Sequence, residues 1–444
     1  MSAPLGNQHD SDRPGGRPRN TALLTDHYEL TMLQAALRDG TGQRHCSFEL
    51  FSRRLPEGRR YGVVAGTGRL LEAIRTFRYD DAELAFLSDR GVIDGTTCEW
   101  LANYRFGGDV SGYAEGELYF PGSPVLTVDA TFAEGVVLET LALSILNHDA
   151  AVASAATRMV VAAGERPCIE MGSRRTHEEA AVAAARAAYL AGFAATSNLA
   201  AGLQHGVPTA GTAAHAFTLL HDREADAFRS QIEALGLGTT LLVDTYDIAA
   251  GIATAIEVAG PQLDAIRIDS GDLGVLAQQA RTLLDELGAT STRIVLSGDL
   301  DEFGLAALAG APVDAYGVGT SVVTGSGAPT AGFVYKLVEV DGRSVAKRSE
   351  DKVTHGGRKT AVRRHRSTGT AVQEVLRSQG SPEARDGDRP LQVAFLKGGE
   401  LVADVDTLEQ SRAHLKRVLT TVPWEGLKLS RGEPAIPTRY EESR

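Results

Sequence analysis

The residues best suited to chemistry stand at the ends of short apolar runs. Glu170, Arg174, Asp244, Asp269, Ser270 and Asp299 occupy such ends, as do Gly317-Val318-Gly319-Thr320-Ser321 and Gly211-Thr212-Ala213-Ala214-His215. Carboxylates on separate strands can hold sugar hydroxyls or orient a metal-bound polyphosphate, and a glycine-rich strand end lets backbone N–H groups surround a phosphate. The combination points to a phosphorylated sugar. Arg267 lies inside the apolar run Ala265-Ile266-Arg267-Ile268, where an unpaired guanidinium is costly, so it must meet Asp244, Asp269 or a carboxylate brought by a ligand. His215 opens a helical segment, Ala216 to His221. A histidine after a turn is often only structural. Acting as a nucleophile, it would need a partner for its second ring nitrogen, and Glu170 and Asp244 are both candidates.

These side chains need elements to position them. Seven short strands recur at 168–170, 194–196, 209–211, 241–244, 265–269, 293–299 and 315–319, each followed by a helical segment. The later ends, at residues 244, 269, 299 and 319, have the interval of repeated βα units, which build their sites at strand C-termini. One helix is signed by Thr176-His177-Glu178-Glu179, a capping box, and ends at Gly192. Upstream, Thr25 to Leu37 reads as a helix carrying Tyr28 near its start, with Thr25 able to cap it and Gly40 able to stop it. Ser47 to Phe51 and Val110 to Phe120 alternate as half-buried strands, Tyr61 to Phe77 and Asp81 to Leu87 read as helical, and Leu138 to Val161 reads as a buried helix or pair of helices. The expected organisation is a tail over 1–20, an α+β domain over 21–135, a βα barrel over 136–340 and an α+β extension over 341–444 containing a last helix, Leu408 to Leu419. The basic run Lys347, Arg348, Lys352, Arg358, Lys359, Arg363, Arg364 and Arg366 reads as a solvated face or loop.

Composition sets limits on partners. A chain of 444 residues with net charge −12 repels nucleic acid and anionic membrane surfaces, so an anionic ligand must be caught by local arginine or lysine. The three cysteines, Cys46, Cys98 and Cys168, form no CxxC pair, which disfavours a zinc site or a disulfide framework and suits a reducing cytosol. The first twenty residues are polar and rich in Gly and Pro and lack the apolar core of a signal peptide, and no run approaches the ~18 apolar residues of a membrane span.

Read in series, Thr25-Asp26-x-Tyr28, Glu170-Met171-Gly172-Ser173-Arg174-Arg175, Thr196-Ser197-Asn198, Gly211-Thr212-x-x-His215, Arg267-x-Asp269-Ser270-Gly271-Asp272, Ser297-Gly298-Asp299 and Gly317-x-Gly319-Thr320-Ser321 resemble the motifs of the nicotinate phosphoribosyltransferase family. The resemblance runs from about Thr21 to Val340. It implies an α/β fold, an irregular βα barrel of the type II phosphoribosyltransferase kind with an N-terminal α+β domain and a C-terminal extension, and a cytoplasmic homodimer with shared sites. The implied reaction joins nicotinate to phosphoribosyl pyrophosphate and is coupled to ATP hydrolysis, with Mg2+ on the substrate and no resident metal. By the same resemblance His215 would be the phosphohistidine, and Asp244 and Asp269 would face ribose hydroxyls or magnesium. Tyr28 would stack on nicotinate from the other subunit, with Thr212, Arg267, Ser197 and Met171 around the ring and Arg267 on its carboxylate. Arg174, Ser270, Gly271, Gly298, Asp299, Gly317, Gly319 and Thr320 would hold the phosphoribosyl group and its phosphates, and Lys347 and Lys352 would meet pyrophosphate or ATP. Relatives that use nicotinamide carry an acidic residue where this chain has Ser197, so a neutral Ser197 favours the acid. Met171 replaces an aromatic residue, and His355 replaces a proline. The competing expectations are nicotinamide as substrate and a non-catalytic barrel that binds sugar phosphates.

Overall fold

The computed structural model describes residues 21–347, 355–378, 380–383, 385–402 and 406–441. The 1–20 tail, Arg348 and Lys352 lie outside the described residues.

Six short strands form one parallel sheet, in the spatial order Ala195–Thr196, Cys168–Glu170, Ala315–Val318, Arg293–Leu296, Ala265–Ile268 and Thr240–Leu242. Because the first strand in the chain, Cys168–Glu170, pairs with the last, Ala315–Val318, the sheet curls into a barrel. Thr209 makes an isolated parallel bridge to Thr196 and takes the seventh place. Among the described residues no ladder joins Thr209 to Thr240–Leu242, so the barrel is open on that side. Leu241, Ile266, Ile268, Ile294, Leu296, Tyr316 and Val318 are fully buried, as expected for strands covered on both faces.

A second sheet has seven antiparallel strands, in the order Arg343–Ser344, Phe333–Val340, His45–Ser52, Leu126–Thr131, Asp109–Tyr113, Gln392–Lys397 and Glu400–Leu401. Two expected boundaries fall inside it. Phe333–Val340, assigned above to the barrel, runs along His45–Ser52, and Gln392–Lys397 from the extension runs along Asp109–Tyr113. The run expected as one strand from Val110 to Phe120 is two, Asp109–Tyr113 and Leu118–Tyr119, and the helix expected from Tyr61 begins only at Thr67, after a short strand, Gly62–Val63.

The two bodies share one helix, Glu139–Ala163. Its first half gives Leu141, Ala142, Leu146 and Ala150 to the core of the antiparallel sheet. Its second half gives Val152, Ala153, Ala155, Ala156 and Met159 to the barrel core, where alanines let it approach Ala184, Ala187 and Ala188 of the helix Glu178–Leu190. Contrary to the reading above, the helical stretch Phe132–Ala163 is long and apolar enough to cross a membrane, yet 61% of its most apolar window is buried within the fold. The helix Glu178–Leu190 is capped by His177, one residue beyond the expected Thr176. At the first helix, His27–Asp39, the cap position is Asp26; Thr25 instead donates to Glu29, which also accepts from Thr140 and so ties this helix to the shared one.

Among the described residues of the basic run, Lys359, Arg363 and Arg364 are interior, whereas Lys347 and Arg366 are exposed and Arg358 is half-buried. Arg363, 1% exposed, donates to Glu117 at 2.5 Å and Glu374 at 2.6 Å, and Lys359 pairs with Glu49 at 2.7 Å. Arg389 and His414 complete the shell of Glu117. Burial alone would push the Glu117 carboxyl up, but Arg363, His414 and Arg389 outweigh it and hold it well below the usual carboxylate range. Glu49 and Glu117 lie in the N-terminal segment and their counter-ions in the C-terminal one, which explains why Lys359 and Arg363 look solvated in isolation yet are buried.

Candidate active site

The C-terminal ends of the barrel strands converge on Arg267. Its Nε donates to the Ser297 hydroxyl at 2.7 Å, one terminal nitrogen to Thr212 Oγ1 at 3.2 Å and the other to Asp269 Oδ1 at 2.7 Å. The Ser297 hydroxyl donates in turn to the same Asp269 oxygen, so the three groups form a closed triangle. Burial would raise the Asp269 carboxyl, but hydrogen bonds from Ser297 and Arg267, with the charges of Arg267 and His215, hold it below its ordinary value. The expectation that Arg267 must meet a carboxylate is met by Asp269.

Asp244 stands one strand over. Its Oδ2 accepts the Asp269 backbone N–H at 2.9 Å and the Ser270 hydroxyl at 2.7 Å. Its Oδ1 is buried, has no hydrogen-bond partner among the described residues and lies 4.0 Å from Nε2 of His215. The other ring nitrogen, Nδ1, meets Thr245 Oγ1 at 3.1 Å. His215 opens the short helix His215–Leu219 beside the gap in the barrel, with its side chain 41% exposed. Of the two candidate partners, Asp244 is the one that faces it. Glu170 is fully buried and takes the Thr196 hydroxyl and the Gly172 N–H, which makes it a clamp between two strand ends.

Two adjoining cavities open over these groups. The larger, about 350 Å³, is lined by Met171, Arg174, Ser197, Thr212, His215, Arg267 and Asp269, among others. The smaller, about 160 Å³, adds Arg175, Gly298, Asp299, Gly317, Gly319 and Thr320. Its floor is a tight turn: Gly298 at φ +114° and Asp299 at φ +45° are both left-handed, and a Cβ on Gly298 would stand 2.3 Å from the Asp269 carbonyl oxygen. Consecutive backbone amides in such a turn form an anion-binding concavity.

Most of the residues singled out in the sequence therefore share one place. Ser270 and Gly271 do not: neither lines a cavity, and the Ser270 hydroxyl orients Asp244. Lys347 is exposed beyond the antiparallel sheet and lines neither cavity. Tyr28 also lies outside both cavities of its own chain, 45% exposed beside Glu139, and burial together with that acid raises its hydroxyl pKa. Two residues escaped the reading as site groups. Thr245 follows Asp244 directly and Ser297 opens a quoted motif, and in each case adjacency was the available signal; Arg175, placed with Arg174 at the ligand face, lines the smaller cavity.

Comparison with known proteins agrees with this geometry. A family model described as nicotinate phosphoribosyltransferase (NAPRTase) N-terminal domain matches residues 23–147. Nicotinate phosphoribosyltransferase pncB1 of Mycobacterium tuberculosis is 62% identical over 439 residues, covering 96% of this chain and 97% of that protein. The Homo sapiens nicotinate phosphoribosyltransferase is 31% identical, covering 90% and 91%. The crystal structure of human nicotinic acid phosphoribosyltransferase superposes with a TM-score of 0.83 at 27% identity, covering 94% of this chain and 98% of that one. A nicotinate-nucleotide pyrophosphorylase from Pyrococcus furiosus shares the fold, with a TM-score of 0.77 at 23% identity. Architecture and strand-end site together define the class, an enzyme on the irregular βα barrel of phosphoribosyltransferases. Within that class, the chain belongs to the nicotinate phosphoribosyltransferase family.

Proposed function

We propose that the chain forms nicotinate mononucleotide and pyrophosphate from nicotinate and phosphoribosyl pyrophosphate, in salvage of pyridine for NAD, with ATP hydrolysis coupled through a phosphorylated His215. The observation that carries the substrate is Arg267. Of its five N–H groups three are held by Ser297, Thr212 and Asp269, and two remain to take a carboxylate at the wall of the larger cavity. Ser197 adds no negative charge there, which favours nicotinate over nicotinamide.

Displacement at the anomeric carbon develops positive charge on the ribose, so the site works by position and charge. Asp269, kept ionised, and Asp244 face the side where that charge grows, and either can hold ribose hydroxyls or the magnesium that arrives with pyrophosphate. Arg174 and Arg175 are available to the pyrophosphate, and the Gly298-Asp299 turn with Gly317, Gly319 and Thr320 to the 5-phosphate. The orphaned Oδ1 of Asp244 suits an imidazole whose Nε2 carries a proton, which leaves Nδ1 to accept the phosphoryl group beside Thr245.

A homodimer fits the surface. Leu24, Tyr28 and Met32 are exposed on or beside the first helix, as are Leu199, Leu203, Leu219, Leu220 and Tyr246 on the helices and loops around the barrel mouth. Docking one set on the other would bring Tyr28 of a second copy to the nicotinate. A cytoplasmic location suits the three free thiols, and the net charge of −12 disfavours nucleic acid and membrane partners.

The test is incubation with nicotinate, phosphoribosyl pyrophosphate and Mg-ATP, with product measured by chromatography. Nicotinate mononucleotide is expected, and its absence overturns the assignment. In direct competition nicotinamide should lose. Variant His215→Ala should lose ATP hydrolysis and its coupling while retaining part of the ATP-independent synthesis; loss of all synthesis with an intact fold would contradict the role given to His215.

A further inference from the structure

We propose that a cleft on the antiparallel-sheet domain, bounded by Arg75, Arg78 and Arg105, is a second ligand site that takes a phosphate monoester. The cleft has a volume of about 450 Å³ and shares no lining residue with the barrel cavities. Two of its arginines follow core aromatics directly. Phe77 and Tyr104 are buried and meet edge-on with ring centroids 5.7 Å apart, so Arg78 and Arg105, next in the chain, emerge side by side. Each guanidinium donates only to the carbonyl of the residue before it, Arg78 to Phe77 at 2.6 Å and Arg105 to Tyr104 at 2.5 Å.

Among the described residues neither Arg78, which is half-buried, nor Arg105, which is exposed, has a carboxylate within ion-pair distance. Two like charges held together by the core beneath them repel, and burial together with the Arg105 charge lowers the pKa of Arg78. The C-terminal end of the helix Thr67–Thr76 attracts cations and accounts for Arg75 and Arg78. It does not account for Arg105, which arrives from a separate segment. A dianion between the two guanidinium groups would relieve the repulsion with charge-assisted hydrogen bonds.

The remaining lining narrows the ligand. Glu72 is engaged by Arg75 at 3.3 Å, and Glu400 stands at the rim on the hairpin that follows Gln392–Lys397. Rim carboxylates discourage a polyanion but can accept from hydroxyls, and the volume exceeds what a bare phosphate ion fills. A sugar or nucleoside monophosphate satisfies both conditions.

The experiment is calorimetric titration of the whole protein with AMP and, separately, with inorganic phosphate, comparing the parent with the double variant Arg78→Gln/Arg105→Gln and with Arg174→Gln in the barrel. AMP should bind the parent at a site that survives Arg174→Gln and weakens at least about tenfold in the double variant, whose turnover at saturating substrate without AMP is unchanged. AMP should also bind at least about tenfold more tightly than phosphate; equal affinities would overturn the monoester assignment. Parent-like binding by the double variant would overturn the site itself. So would a drop of several degrees in its melting temperature in phosphate-free buffer, because that would mean the arginines are already paired within the protein.

Discussion

Replacing Arg363 with methionine tests whether the C-terminal segment is structurally integral to the N-terminal domain. The two carboxylates it serves differ in what they retain. Glu117 keeps Arg389 at 2.7 Å and His414 at 2.9 Å, whereas Glu374 keeps only the hydroxyls of Tyr113 and Ser123. The variant therefore leaves one buried carboxylate without a cation, which costs about 3–5 kcal/mol. At about 2–4 °C per kcal/mol for domains of this size, the melting temperature should fall by roughly 6–20 °C. Urea unfolding at pH 7 would show the deficit, and adding Glu374→Gln should recover much of it. A loss below about 1 kcal/mol at pH 7, or no recovery in the double variant, would refute the reasoning.

Three further outcomes follow. In the role proposed for Arg267, Arg267→Lys would remove at least one charged hydrogen bond to the substrate carboxylate, about 1.5–3 kcal/mol, so kcat/KM for nicotinate should fall roughly 10- to 150-fold with little change in KM for phosphoribosyl pyrophosphate, as steady-state kinetics with each substrate varied will show. Gly298→Ala places a methyl group 2.3 Å from the Asp269 carbonyl at a φ of +114°; it should cost at least about 1–3 kcal/mol by thermal unfolding and raise KM for phosphoribosyl pyrophosphate. In the parent, Glu117 and Asp269 have depressed folded pKa values, so the stability they contribute is fully present above their unfolded values near 4 and is lost as pH falls through the folded ones; circular dichroism should place the acid transition below about pH 4.

The site was more legible than the scaffold, for a physical reason. Barrel strands present their C-termini to one face, so Asp244, Arg267, Asp269 and Gly298, each read at a strand end, had to converge once the βα repeat was recognised. Arg267 was the most informative of these, because a guanidinium in an apolar strand demands a partner. The Ser270 hydroxyl, which meets Asp244, was not legible as such because a hydroxyl at a strand end looks the same whether it serves a ligand or a neighbouring carboxylate. Thr245 was passed over because nothing local to it indicates a histidine thirty residues earlier. Alternation marks Phe333–Val340 and Gln392–Lys397 as strands but does not name the strands beside them. Arg363 and Lys359 looked solvated because Glu117 and Glu49, the carboxylates that bury them against the N-terminal segment, are more than two hundred residues away in the chain.

The antiparallel sheet has a consequence for the order of synthesis. His45–Ser52 is made early and finds Leu126–Thr131 soon afterwards, but its other edge stays open until the ribosome has released the whole barrel and then Phe333–Val340. Glu49 waits longer, for Lys359, and Glu117 waits for Arg363, Arg389 and His414. The domain that begins the chain is therefore the last to be completed. A nascent chain that has finished its barrel still exposes an unpaired strand edge and uncompensated acids, the species that chaperones must shield. Truncation before Phe333 would hold the protein at that stage, and truncation before Arg389 would still leave Glu117 without two of its three counter-ions rather than trim an appendage.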